Sequence, residues 1–122
     1  MSQFSSLTHG DIEHNMRTAL LEMERLTESF GNLAEAKARA EASYKSAFAE
    51  ARVRARESGI ADLRKVTVDM AEDFAKLHTQ EELLAFTLAE ARYDACRQAL
   101  MSVRSNLEVL RSLMASHREV GA

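Results

Sequence analysis

A chain of 122 residues with a net charge of -3 has the size of one domain, and its acidic balance argues against a protein that is coated with nucleic acid over its whole surface. It contains no proline and four glycines, 29% of its residues are charged, and alanine supplies much of the 46% that is hydrophobic. This composition favours long helices and a narrow apolar surface, and it argues against a large monomeric core.

The N-terminal segment, MSQFSSLTHGD, lacks the order of basic and then apolar residues that marks a signal peptide, and no apolar run approaches the length of a transmembrane span. The single cysteine, Cys96, cannot form an intramolecular disulfide. We therefore expect a cytoplasmic protein that makes no contact with a membrane.

The first predicted helix begins near Asp11, with Thr8 or Asp11 as its N-cap, after a flexible tail over residues 1–10. Apolar residues then alternate at spacings of four and three, which is the pattern of a coiled-coil seam. The seam consists of Ile12, Met16, Ala19, Met23, Leu26, Phe30 and Leu33, and its register continues through Lys37, Ala40, Tyr44, Ala47 and Ala51. Because the register passes Gly31 without a skip, we predict one helix that ends at Ser58-Gly59, where glycine suits a left-handed cap.

A connector over residues 60–66 precedes a short second helix of about ten residues, with Thr67 as its cap and Met70, Phe74 and Leu77 as its apolar stripe. Thr79 stands three residues before Glu82, which is the pattern of a capping box. This pair predicts the start of the last helix, over residues 80–118.

The last helix carries its own seam, again with alternating spacings: Tyr93, Cys96, Leu100, Val103, Leu107, Leu110, Met114 and His117. The predicted fold is all-α: one domain over residues 11–119, formed by a long antiparallel helical hairpin with a short connecting helix, resembling a coiled coil. Two long helices cannot bury every apolar residue between them. The remaining apolar residues predict a homo-oligomer; they are Leu20, Leu21, Phe48, Leu83, Leu84 and Leu113.

The sign of the charge alternates along the chain, and the basic residues fall in two blocks. Residues 36–65 contain eight basic and four acidic side chains, and residues 96–122 contain four arginines at every seventh position. Arginine suits phosphate because its planar fork donates two hydrogen bonds at once. The candidate nucleic-acid-binding residues are Lys45, Arg52, Arg54, Arg56, Arg64, Lys65, Arg97, Arg104, Arg111 and Arg118.

The alternative is that these arginines flank a seam and pair with carboxylates on a neighbouring helix, with Glu24, Glu28, Glu35 and Glu108 as the partners. Among possible enzymatic sites, the carboxylates of Asp69, Glu72 and Asp73 have no histidine or second acidic motif beside them, so a solvated face is the better interpretation. His9 and His14 do not share a helix face, and Cys96 lies in a seam as a small core residue. We expect no enzyme activity, no metal and no cofactor.

The outline resembles the small helical proteins of bacteriophage recombination modules and, more remotely, the UvsY-like recombination mediators of T-even phages. The resemblance covers roughly residues 35–120 and is carried by "YKSAFAEARVRARESG", a polar connector and "ARYDACRQALMSVRSNLEVLRSLMASHR". It implies rings of helical hairpins that bind single-stranded DNA and load a recombinase while single-strand-binding protein is displaced. A Lys-Ala-Arg-Leu run of that family corresponds to Glu50-Ala51-Arg52-Val53, so that Arg52 carries over while Glu50 replaces a lysine.

The sequence thus supports two hypotheses of different classes. The first is a phage-type recombination mediator or accessory protein in the cytoplasm of a bacterial host, a homo-oligomer that binds single-stranded DNA without sequence preference, with a recombinase or single-strand-binding protein as a candidate partner. The second is a helical protein–protein interaction module, acting as an adaptor, chaperone or inhibitor without binding DNA.

Overall fold

All three elements that the structure describes are helices. The computed structural model describes residues 8–58 and 67–121. Its elements are α1 (His9–Ser58), α2 (Val68–His78) and α3 (Gln80–Gly121). Within these ranges no strand occurs, so the predicted all-α class is confirmed. None of the helices in the described ranges combines the length and the apolarity needed to cross a bilayer.

The start of α1 is closed by a reciprocal pair of hydrogen bonds. The Thr8 hydroxyl oxygen accepts from the Asp11 backbone N–H at 3.1 Å, and the Asp11 carboxylate accepts from the Thr8 backbone N–H at 3.0 Å. Thr8 is therefore the cap, and His9 and Gly10, which were predicted to end the tail, are the first helical residues. Residues 1–7 of the predicted tail lie outside the described residues.

Helix α1 runs through Gly31 without interruption, as the unbroken register predicted. A Cβ atom built on Gly31 would meet nothing within 4 Å. Glycine is therefore tolerated at this position at the usual propensity cost, about 1 kcal/mol relative to alanine. The structure describes α1 as far as Ser58, while Gly59, the predicted cap, and the connector over residues 60–66 lie outside the described residues.

The chain divides into two compact units, each of which contains part of α1 and part of α3. The terminal unit is Met1–Gly31 with Asp94–Ala122, and the central unit is Asn32–Tyr93, which includes α2.

The terminal unit has a continuous apolar core. Its fully or nearly buried cluster receives residues from both helices, and partly buried apolar residues pack against it. The cluster is Ile12, Ala19, Leu107, Leu110 and Met114, with Met16, Met23, Val103 and Leu113 against it. Nearby, the Cys96 thiol lies 3.5 Å from the Leu26 carbonyl oxygen. The predicted seam residues of this unit are thus buried or partly buried, whereas Leu113, which was expected to face another subunit, packs against the core of its own unit.

Aromatic rings and alanines fill the central unit. The Tyr44 ring centroid lies 6.0 Å from that of Phe48 and 6.1 Å from that of Phe86. The Lys37 ammonium lies 4.5 Å from the centre of the Tyr93 ring, so the polar residue in the predicted seam is accommodated by a cation–π contact. Among the described residues of this unit, the completely buried alanines lie on α1 and α2: Ala51, Ala55, Ala71 and Ala75.

Helix α2 buries a different face from the one predicted. Thr67 is its cap, as expected, because its hydroxyl accepts from the Met70 N–H at 3.1 Å. The predicted apolar stripe is wrong in its last member, since Leu77 is 64% exposed, and Met70 and Phe74 are only partly buried. The fully buried face is formed by Ala71 and Ala75.

The predicted capping box between Thr79 and Glu82 is also wrong. Thr79 ends α2 as its C-cap, and its hydroxyl donates to the Ala75 carbonyl oxygen at 2.6 Å. The side chain is buried, at 2% exposure, so its hydroxyl must find a partner within the protein and takes the carbonyl one turn back. Helix α3 nevertheless begins at Gln80, as expected.

Candidate nucleic-acid interface

The four arginines of the last helix form a stripe on α3, within the terminal unit. Arg97, Arg104, Arg111 and Arg118 are all exposed, and we call them the arginine stripe. Consecutive members are two helical turns apart, which corresponds to about 10.5 Å along the axis. Each follows a seam residue directly, so the buried seam holds the stripe along one edge of the helix.

Most of the arginine stripe has no carboxylate partner among the described residues. Arg97 lies 3.9 Å from the Asp94 carboxylate, which is a loose contact. Across the described ranges, no ion pair within 4.0 Å joins Arg104, Arg111 or Arg118 to another residue. These guanidinium groups are therefore available to an external anion.

The alternative interpretation required pairing with Glu24, Glu28, Glu35 or Glu108. Glu35 instead pairs with Arg39 on its own helix. Glu108 lies one turn from both Arg104 and Arg111 along α3, yet within residues 8–58 and 67–121 it contacts neither at 4.0 Å or less. In the part of the chain that the structure describes, none of the four glutamates neutralises the arginine stripe.

Serine hydroxyls accompany the arginine stripe, and the sequence prediction missed them. Ser105 and Ser112 directly follow Arg104 and Arg111, and together with Ser116 they line a shallow groove that also contains Glu108. Hydroxyl groups donate hydrogen bonds to phosphate oxygens, so they can supplement the arginines. The sequence does contain a signal for these hydroxyls, because an Arg-Ser pair at 104–105 recurs seven residues later at 111–112.

The candidate binding residues of α1 lie in the central unit, and some of them contact other side chains of that unit. The Lys45 ammonium lies 2.9 Å from the Glu41 carboxylate, which raises the pKa of Lys45 through a hydrogen bond and lowers that of Glu41. The Arg52 guanidinium lies 5.4 Å from the centre of the Phe48 ring. Arg54 and Arg56 are exposed. Arg64 and Lys65 lie outside the described residues, so this predicted block is only partly described.

In the described ranges, no group of three or more His, Cys, Asp or Glu side chains is placed to hold a metal ion. Cys96 is buried at 7% exposure beside the Leu26 carbonyl, as expected of a small core residue.

Several leucines that the seams do not use are exposed. Leu20 and Leu21 on α1 are 46% and 67% exposed, and Leu83 and Leu84 on α3 are 43% and 60% exposed. Single exposed leucines are common, but adjacent pairs indicate a surface that can contact another protein.

No protein-family model, curated protein or solved structure matches this chain. Support for a function therefore comes from its own side chains. The resemblance to UvsY-like mediators keeps the status of an expectation.

Proposed function

We propose that this protein binds single-stranded DNA without sequence preference as a homo-oligomer and acts as a phage-type recombination mediator or accessory protein. The observation that supports this most is that Arg104, Arg111 and Arg118 are exposed on one edge of α3 and form no ion pair with any described residue. A recombinase or a single-strand-binding protein is the expected protein partner, in the cytoplasm of a bacterial host.

The chemistry of the arginine stripe fits a phosphate backbone. An arginine that is already paired must break its ion pair before it binds phosphate, whereas an unpaired one gains the contact in full. The stripe presents cations at intervals of about 10.5 Å, and a flexible strand can adjust its phosphates to this spacing. A net charge of -3 is compatible with this, because the acidic residues concentrate in other segments.

The proposed architecture is an antiparallel, coiled-coil-like hairpin of α1 and α3. Contacts within each unit support it. In the terminal unit Ile12 shares a cluster with Met114, and Leu26 lies beside Cys96. In the central unit Lys37 lies over Tyr93. In the terminal unit, residues farther along α1 therefore contact residues that come earlier in α3, which is the pattern of antiparallel helices.

A homo-oligomer is part of the proposal because one chain offers few phosphate contacts. Each subunit would contribute a few weak arginine contacts, and several subunits bound to one strand would add them through effective concentration. The exposed leucine pairs supply apolar surface for such an assembly.

The test is a fluorescence-anisotropy titration with a labelled single-stranded oligonucleotide at low and at moderate salt. We expect Arg104→Gln/Arg111→Gln to weaken binding about tenfold or more and to reduce the dependence on salt. The matched control is Arg25→Gln/Arg39→Gln, which makes the same change in net charge but at arginines that already pair with Glu22 and Glu35. Its binding should change less than about twofold.

A third variant should change the affinity for DNA in the opposite direction. Glu108→Gln removes the carboxylate that lies one turn from Arg104 and Arg111, so it should strengthen binding about twofold. Absence of binding at micromolar protein in low salt, or equal losses in the stripe variant and the control variant, would contradict the proposal.

A second candidate function, a protein–protein interaction module, is favoured by the exposed pair Leu83 and Leu84. It predicts no binding to single-stranded DNA and a protein partner that is lost in Leu83→Glu/Leu84→Glu but kept in Arg104→Gln/Arg111→Gln.

A further inference from the structure

A groove on α1 of the terminal unit combines exposed leucines with charges of both signs. It has a volume of about 850 Å³ and is lined by Arg17, Leu20, Leu21, Met23, Glu24, Thr27 and Glu28. Leu20 and Leu21 are exposed, and Met23 is shared with the core of the unit. No ion pair within 4.0 Å joins Arg17, Glu24 or Glu28 to any other residue in the described ranges.

The order of these side chains along α1 is complementary to its own reverse. Arg17, Leu20, Leu21 and Glu24 follow one another on a single face, so the face reads cation, leucine, leucine, anion. If a second α1 lies antiparallel across it, Leu20 faces Leu21 of the second copy and Arg17 faces Glu24 of the second copy. By two-fold symmetry each of these contacts occurs twice.

We propose that this groove is occupied by the same groove of a second copy of the chain, in an antiparallel pair centred between Leu20 and Leu21. This contact specifies how two subunits of the homo-oligomer in the proposed function would meet, and it rests on that part of the proposed function. It names the contact between subunits, while the arginine stripe on α3 stays accessible to another ligand.

Other registers and orientations match less well. A parallel pair in the same register would place Arg17 against Arg17 and Glu24 against Glu24, which is repulsive. An antiparallel pair that joined Arg17 to Glu28 would bring Leu21 against Glu24. The chosen register also places Glu13 opposite Glu28, but these residues lie farther from the symmetry centre, where crossing helices diverge.

The apolar part of the groove covers only a few turns of one helix, so its area is below that of a stable standard interface. Self-association through this contact alone should therefore be weak and dependent on concentration. It is best measured by sedimentation equilibrium of the full chain without DNA, over a range of protein concentrations up to the highest at which the protein is soluble.

Two charge-reversal variants test the pairing. Arg17→Glu alone sets two carboxylates against each other at each charged contact, and Glu24→Arg alone sets two guanidinium groups against each other. Each variant should therefore self-associate about tenfold more weakly than the wild type. In an equimolar mixture, a pair that contains one chain of each variant keeps two charged contacts. One contact joins the two introduced side chains, in reversed order, and the other joins the two native ones.

Both contacts in the mixed pair thus unite a cation with an anion, so the mixture should associate about as strongly as the wild-type chain. Both substituted sites are exposed, and circular dichroism of each variant should show unchanged helicity. This control separates a lost contact from a lost fold.

The proposal is overturned if the wild-type chain remains monomeric, if either single variant associates like the wild type, or if the mixture fails to recover association. Binding of single-stranded DNA is measured separately on the same samples. Loss of DNA binding in the stripe variant with an intact dimer would support both proposals, whereas a wild-type dimer that does not bind DNA would overturn the proposed function alone.

Discussion

At the scale of single residues, the reciprocal contact between Thr8 and Asp11 links the start of α1 to pH. The Thr8 backbone N–H, and then its hydroxyl, lower the pKa of Asp11 below its ordinary value of 3.8. Because the pKa is lower in the folded state, the stabilisation is present above the ordinary value and is lost as the pH falls through the folded-state pKa. We expect the first turn of α1 to fray only at strongly acidic pH.

The measurement is an NMR titration of the Asp11 side-chain carboxyl carbon, with the Thr8 amide proton followed in parallel. The two signals should change together, with a midpoint below 3.8. The urea-unfolded chain serves as the reference, in which Asp11 should titrate near its ordinary value. A midpoint in the folded protein at or above that of the unfolded chain would disprove the cap.

The caps also show which residue roles can be predicted from sequence. Thr67 was predicted correctly, and Thr8 was one of the two caps that the sequence offered for α1, because a cap next to solvent is decided mainly by local geometry. Thr79 was not, because its hydroxyl had two possible local partners. The Thr79 side chain is buried, and its hydroxyl donates to the Ala75 carbonyl. Burial depends on tertiary packing, which the sequence pattern does not specify.

At the scale of elements, the two long seams were predictable because seven-residue periodicity repeats many times and averages out single exceptions such as Lys37. The short α2 helix allows few repeats. Its apolar residues suggested a stripe through Leu77, but the face that is fully buried is that of Ala71 and Ala75. In this 11-residue helix, the hydrophobicity of the side chains alone therefore did not identify the buried face.

This correction predicts opposite responses to two substitutions on α2. Ala75→Leu adds volume where the side chain is 0% exposed, so overpacking should lower the free energy of unfolding by about 1–3 kcal/mol. Leu77→Ala removes an exposed side chain and should change it by less than about 0.5 kcal/mol. Urea denaturation followed by circular dichroism compares the two variants. A destabilising Leu77→Ala with a neutral Ala75→Leu would restore the originally predicted stripe.

At the scale of the whole molecule, the position of the arginine stripe could be predicted, but whether its arginines form ion pairs could not. Heptad spacing places the four arginines on one edge of α3. Whether they pair with glutamates depends on side-chain conformations, and in the described part of the chain Glu108 lies near two of them in sequence without contacting either. Leu20 and Leu21 could be separated from the seams by their spacing, but the groove that they form with Arg17 and Glu24 became visible only in the structure.

The proposed function and the proposed groove contact together predict how affinity depends on the length of the DNA. If subunits act independently, a strand of about 40 nucleotides binds only about fourfold more tightly than one of about 10, in proportion to the number of sites. If linked subunits add their contacts on one strand, the gain should reach about 100-fold or more. Arg17→Glu should reduce that gain toward the proportional value, while it leaves binding to the short strand unchanged, because Arg17 lies on α1, outside the arginine stripe. The equimolar mixture with Glu24→Arg should restore the gain. Anisotropy titrations with both oligonucleotides measure it, and a proportional gain in the wild-type chain would separate DNA binding from assembly.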